Sequence, residues 1–137
     1  MEASARMIKN AATARALAAE SMVLLKNVGN TLPLLGSSEE PVPVALFGVG
    51  QIYTVKGGTG SGNVNNLKTI SLLEGLSNAG IEYNTTISDF YTQFRDSRPT
   101  VGMWGQDWTI PEPTMEEYDA AGIFENAKDF SDTALIV

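Results

Sequence analysis

The chain has 137 residues, 43% of them apolar, which is the size of one domain with enough hydrophobic surface to bury a core. Sixteen acidic residues against nine basic ones give a net charge of -7, which excludes binding to a phosphate backbone, since no basic patch is available to release counterions. With neither cysteine nor histidine, disulfides, thiol nucleophiles, Cys/His zinc sites and Ser-His dyads are excluded within these residues, leaving carboxylates, hydroxyls, a few cations and backbone N–H groups.

The N-terminus lacks the apolar core of a signal peptide, and no segment approaches the roughly 20 apolar residues of a membrane span. The chain is therefore read as soluble and without a membrane partner, with the cytoplasm as the default compartment. From Ser4 to Lys26, Met7, Ala11, Ala14, Ala18, Met22 and Leu25 recur every three or four residues, which predicts an amphipathic helix with an alanine-rich stripe. It should end near Asn27, where Asn27-Val28-Gly29-Asn30 tolerates left-handed backbone, followed by an extended Leu32-Pro33-Leu34. Gly36 to Pro43 is the most linker-like stretch, so residues 1–42 read as a leading helical arm and residues 43–137 as the compact domain.

Val44-Ala45-Leu46-Phe47-Gly48 has the continuous apolarity of a strand covered on both faces. The glycine loop Lys56-Gly57-Gly58-Thr59-Gly60-Ser61-Gly62 follows it. Ser71-Leu72-Leu73-Glu74 has capping-box spacing and predicts a helix with Leu72, Leu73, Leu76 and Ala79 on one side, stopping at Gly80. Ile81–Asn84 reads as a short strand nearer the sheet edge, and Ser88–Arg95 as a short helix pairing Phe90 with Phe94. Arg98–Pro113 has no period and carries Trp104 and Trp108; a loop of that length is functional or disordered. Thr114-Met115-Glu116-Glu117 repeats the capping-box spacing and opens a helix to about Lys128, with Met115, Tyr118, Ala121 and Phe124 inward. The apolar run Ala134–Val137 is a last strand. This β-α-β-α-α-β order predicts an α/β fold, a partial parallel sheet with right-handed crossovers, preceded by the amphipathic arm. An open third strand would leave backbone groups unpaired and favour self-association.

The glycine loop leaves the carboxyl end of the first strand, where open α/β sheets bind small ligands. Its backbone can turn tightly and present several N–H groups and two hydroxyls. Phosphate readings fit poorly, because Tyr53 stands where a dinucleotide fingerprint needs its third glycine and the loop lacks the lysine and spacing of a P-loop. A structural turn and a neutral, hydroxyl-rich ligand remain. No cofactor is indicated.

Five segments in order, Ala19-Glu20-Ser21-Met22-Val23-Leu24-Leu25-Lys26-Asn27, Thr31-Leu32-Pro33-Leu34, Val44–Gly48, Gly57–Val64 and Ser71–Leu76, resemble the start of the second domain of family 3 glycoside hydrolases, the β-glucosidase group. The form of Gly58–Gly62 is similar to the bacterial variant. The resemblance implies a retaining hydrolase acting on a β-glucoside or oligosaccharide, with an aspartate nucleophile on a (β/α)8 barrel absent from this chain. It also implies an acid/base glutamate on a polar loop that follows a strand like Thr133–Val137, beyond the last residue here. Retention requires the two carboxyl groups about 5–5.5 Å apart, so barrel and sandwich must meet across the sugar. The chain alone is expected to be inactive and to contribute no catalytic residue.

Glu74, Glu116 and Glu117 are explained by helix capping or a solvated face and are not promoted to catalysis. What the resemblance leaves is a substrate-binding role for Ser61, with Thr59, Gly58 and Gly60 bordering the pocket. A hydroxyl merely pinning its own loop is the plainer alternative for Ser61. Trp104 and Trp108 could stack on an outer sugar or pack their loop onto the sandwich, and Lys56 could bond a sugar hydroxyl or stand free in solvent. Alternatives from other classes are a non-catalytic carbohydrate-binding or interaction module of α/β fold and an anion-binding regulator.

Overall fold

The computed structural model describes residues 3–34, 41–54, 69–98 and 111–137. The first helix, α1 (Ala5–Ser21), is capped by Ser4, whose Oγ accepts a hydrogen bond from the Met7 amide at 3.3 Å. It stops five residues before the predicted Lys26: Met22 is extended and Val23–Leu25 continue outside the helix. No residue of α1 is buried, and a helix draws most of its stability from packing an apolar face. Gly29 and Asn30 do take up left-handed backbone, as their types suggest. The Asn27 side chain brackets that turn, donating to the Leu32 carbonyl at 2.9 Å and accepting from its amide at 3.0 Å.

The compact part is built on β1 (Ala45–Phe47), which pairs in parallel with β2 (Ala134–Ile136) in the register Ala45–Ala134, Leu46–Leu135, Phe47–Ile136. On the other side of β1, the predicted strand Ile81–Asn84 is reduced to a parallel bridge between Val44 and Tyr83. Among the described residues β1 is thus central and β2 an edge. Val44, Ala45 and Leu46 are all buried, so both faces of the central strand are covered, as its unbroken apolarity predicts.

The bridge is short because Asn84 ends it. Its side chain caps α3 (Thr85–Asp96), accepting from the Ile87 amide at 3.3 Å and donating to Asn126 Oδ1 at 2.8 Å. The helix accordingly starts three residues before the predicted Ser88. The β-branched Thr85, Thr86 and Ile87 had favoured extended chain, and a buried cap overrides that preference. Phe90 and Phe94 stack 6.3 Å apart on it, as expected for a one-turn spacing. The helix α2 (Leu72–Asn78) begins where Ser71 predicts, with Ser71 Oγ accepting from the Glu74 amide, and packs against the turn at Val49–Gln51.

The last predicted helix is two. Thr114 and Glu117 form a complete capping box for α4 (Met115–Ala120), but Gly122, at φ +62°, ends it and launches α5 (Ile123–Phe130). The break rotates the inward stripe: Met115, Ala121 and Phe124 are exposed, and Tyr118, Ile123 and Ala127 join Ala45, Ile87 and Tyr91 in the core. The capping carboxylate is held below its usual range, chiefly by the Thr114 backbone amide, with further help from the Thr114 hydroxyl and from Arg98 at 3.1 Å. A lowered folded-state pKa gives stability that is present above the unfolded carboxylate pKa and is lost as pH falls through the folded one. The stability advantage of the native chain over Glu117→Gln is therefore expected to be present at neutral pH and to vanish in acid. Urea titrations across pH 2–7 check this, and a gap constant with pH would refute it.

Candidate functional site

The carboxyl ends of β1 and β2 open into a cleft of about 440 Å³. Its walls are Phe47, Phe124, Ile136 and Val137, and its polar groups are Tyr91 from α3, Tyr118 from α4 and Glu112 from the segment before α4. Phe47 and Phe124 lie stacked with centroids 6.1 Å apart. The position agrees with the general rule that open α/β sheets receive ligands beyond the carboxyl ends of their strands.

The polar groups form one network. The Val137 amide donates to the Phe47 carbonyl at 2.9 Å, and the next two amides after Phe47 are bonded by side chains. Gly48 donates to Tyr91 Oη at 2.7 Å, and Val49 donates to Glu112 Oε1 at 2.8 Å. The two hydroxyls lie 2.5 Å apart, and Glu112 Oε2 accepts from Tyr91 at 3.2 Å and from Tyr118 at 3.4 Å. Gly48 and Val49 are thus joined through two tyrosines and a carboxylate. Burial, followed by the hydrogen bond to Tyr118, pushes the Tyr91 hydroxyl well above the ordinary tyrosine range; burial also raises Tyr118. Both therefore stay protonated at neutral pH and serve as hydroxyl donors.

Gly48 is the tightest point. Its φ is +110°, and a β-carbon there would lie 2.3 Å from the Val137 carbonyl oxygen. A second device acts two residues earlier, where the buried Gln51 side chain donates to the Leu46 carbonyl at 2.7 Å.

The residues singled out by sequence, Ser61, Thr59, Gly58 and Gly60, lie outside the described residues, as do Lys56, Trp104 and Trp108. Glu74, Glu116 and Glu117 lie in the first turns of α2 and α4, where Glu117 completes the capping box with Thr114 and Glu116 is exposed. Sequence reasoning missed Glu112, Tyr91 and Tyr118. The available signal for Glu112 was the Pro111-Glu112-Pro113 sandwich, since two prolines constrain the backbone around one carboxylate. Among the described residues no group of three acidic side chains is placed to hold a metal ion, and no helix is long and apolar enough to cross a membrane.

Comparison with known proteins places these features in a family. The model of the glycosyl hydrolase family 3 C-terminal domain matches residues 22–134. Beta-glucosidase A of Butyrivibrio fibrisolvens is 37% identical over 125 residues, covering 87% of this chain and 13% of its own length. A beta-glucosidase of Ruminococcus albus is 31% identical over 123 residues, with 87% and 12% covered. Beta-glucosidase 3B from Thermotoga neapolitana, solved in complex with alpha-D-glucose, superposes with a TM-score of 0.69 at 31% identity, over 95% of this chain and 18% of that one. The chain thus spans about an eighth of the length of the curated relatives it matches. Sequence match, parallel sheet and helix order agree, and the chain belongs to the glycosyl hydrolase family 3 C-terminal domain family.

Proposed function

We propose that the chain is the leading arm (residues 1–42) and the first half of the α/β sandwich domain (residues 43–137) of a retaining β-glucosidase-type hydrolase of O-glycosyl bonds. In this reading the glycine loop borders the sugar through Ser61, with Thr59, Gly58 and Gly60 beside it. The observation that carries the proposal is the match to relatives named β-glucosidases along 87% of the chain at 37% and 31% identity. Their far greater length supports a separate (β/α)8 barrel as the source of the nucleophile. The cleft at the carboxyl ends of β1 and β2 supports a ligand on that side of the sheet, where open α/β sheets receive small molecules. The edge position of β2, with Ile136 89% exposed, supports self-association when these residues stand alone.

An aryl-β-glucoside assay tests the reading. The 137-residue chain is expected to show no turnover, and the polypeptide that joins it to its barrel is expected to be active. In that longer protein Ser61→Ala should lower kcat/KM about three- to tenfold, the value of one hydrogen bond to a neutral hydroxyl. Turnover by the short chain would overturn the division of labour, and an unchanged rate on Ser61→Ala would remove the loop from the sugar site. Sedimentation of the short chain as a monomer at assay concentration would remove the self-association.

A further inference from the structure

We propose that Glu112 is a positioning residue, whose carboxylate, with Tyr91 and Tyr118, clamps the turn at the carboxyl end of β1 that precedes the glycine loop. The inference rests on the glycosidase reading for what the turn serves and on geometry for the clamp itself. Gly48 and Val49 are the first two amides after β1, in a turn that opens with φ +110°, a conformation most residues avoid. Both amides are captured by side chains 43 and 63 residues away in sequence, so the turn, whose carbonyls accept local bonds from Gln51, Ile52 and Tyr53, is also tied to α3 and to the segment before α4. Glu112 closes the circuit by using both oxygens, one for Val49 and one for the two hydroxyls.

Exposure separates this role from plain structural support. Glu112 is a solvent-accessible residue on the cleft wall, whereas Ile87 and Tyr91 beneath it are buried. Without the carboxylate, water can reach the Val49 amide, so the fold loses little, but the direction of the turn is no longer set. A displacement of about 1 Å in a substrate-positioning element costs up to about a hundredfold in rate. An amide can do the same holding: glutamine keeps an oxygen for Val49 and turns an N–H₂ toward hydroxyls that can accept.

The test uses the full-length enzyme, with E112A and E112Q beside the native protein. In E112A, kcat/KM for an aryl-β-glucoside is expected to fall 10- to 100-fold while the melting temperature moves by only a few degrees. Deuterium uptake of peptides spanning residues 44–54 is expected to rise at least tenfold in rate. E112Q should recover kcat/KM to within about threefold of native. Unchanged exchange in E112A would overturn the clamp, and faster exchange with unchanged kinetics would overturn its part in positioning. An E112Q enzyme as damaged as E112A would show that the charge acts directly. A native full-length protein without glycosidase activity would instead sink the glycosidase reading, and the exchange data would still decide the clamp.

Discussion

Gly48→Ala is expected to lower the free energy of unfolding by about 2–4 kcal/mol, combining backbone strain of order 1–3 kcal/mol with about 1 kcal/mol for a ladder hydrogen bond. The new methyl group would stand 2.3 Å from the Val137 carbonyl oxygen, a backbone atom. Relief requires the Val137 end of β2 or the end of β1 to shift, which disturbs the bond from the Val137 amide to Phe47. The left-handed backbone at φ +110° adds its own penalty for any residue with a β-carbon. Gly75 supplies the control. It lies inside α2 with nothing within 4 Å of where a methyl would go, so Gly75→Ala should stabilise by about 0.5–1 kcal/mol through helix propensity. Urea denaturation of the two variants should give shifts of opposite sign; equal shifts would mean that the close approach of the strands is not a constraint.

The same glycine shows where sequence reading succeeds and where it runs out. Gly48 was legible as the end of a strand, because an apolar run stopped there. That its missing side chain makes room for a carbonyl 89 residues later was not, since nothing local encodes the partner. Helix starts governed by local hydrogen bonds were read correctly at Ser71 and Thr114, where the cap and its amide are three residues apart. Asn84 was missed because its second partner, Asn126, is distant and its neighbours Thr85 and Thr86 favour extended chain. The interior stop at Gly122 was available in principle, since a glycine flanked by helix is a C-terminal signal, but a continuous capping-box helix outweighed it. At the candidate site the limit is of another kind. Tyr91 and Tyr118 belong to helices whose apolar periodicity explains them as core, and only the fold reveals that both hydroxyls meet one carboxylate at a strand end.

Two apolar residues of helical or near-helical segments fare differently in the structure. Ile87 is fully buried on α3 among Ala45, Tyr91, Tyr118, Ile123 and Ala127. Leu25, in the arm, is 92% exposed. Truncating Ile87 removes three carbons from a packed interior, and Ile87→Ala is expected to cost about 2–5 kcal/mol, the range for a large-to-small change that leaves a cavity. Leu25→Ala in the same 137-residue chain should stay within about ±0.5 kcal/mol, as for a surface site. Chemical denaturation of both variants decides the matter, because comparable losses would mean that the arm packs onto the domain. If the contrast holds, then repeating Leu25→Ala in the full-length enzyme becomes informative, since a cost that appears only there measures burial of the arm against the rest of the polypeptide. Among the described residues the apolar side chains of α1 and Met22–Leu25 are exposed, and an exposed row of that kind costs a protein solubility unless something covers it.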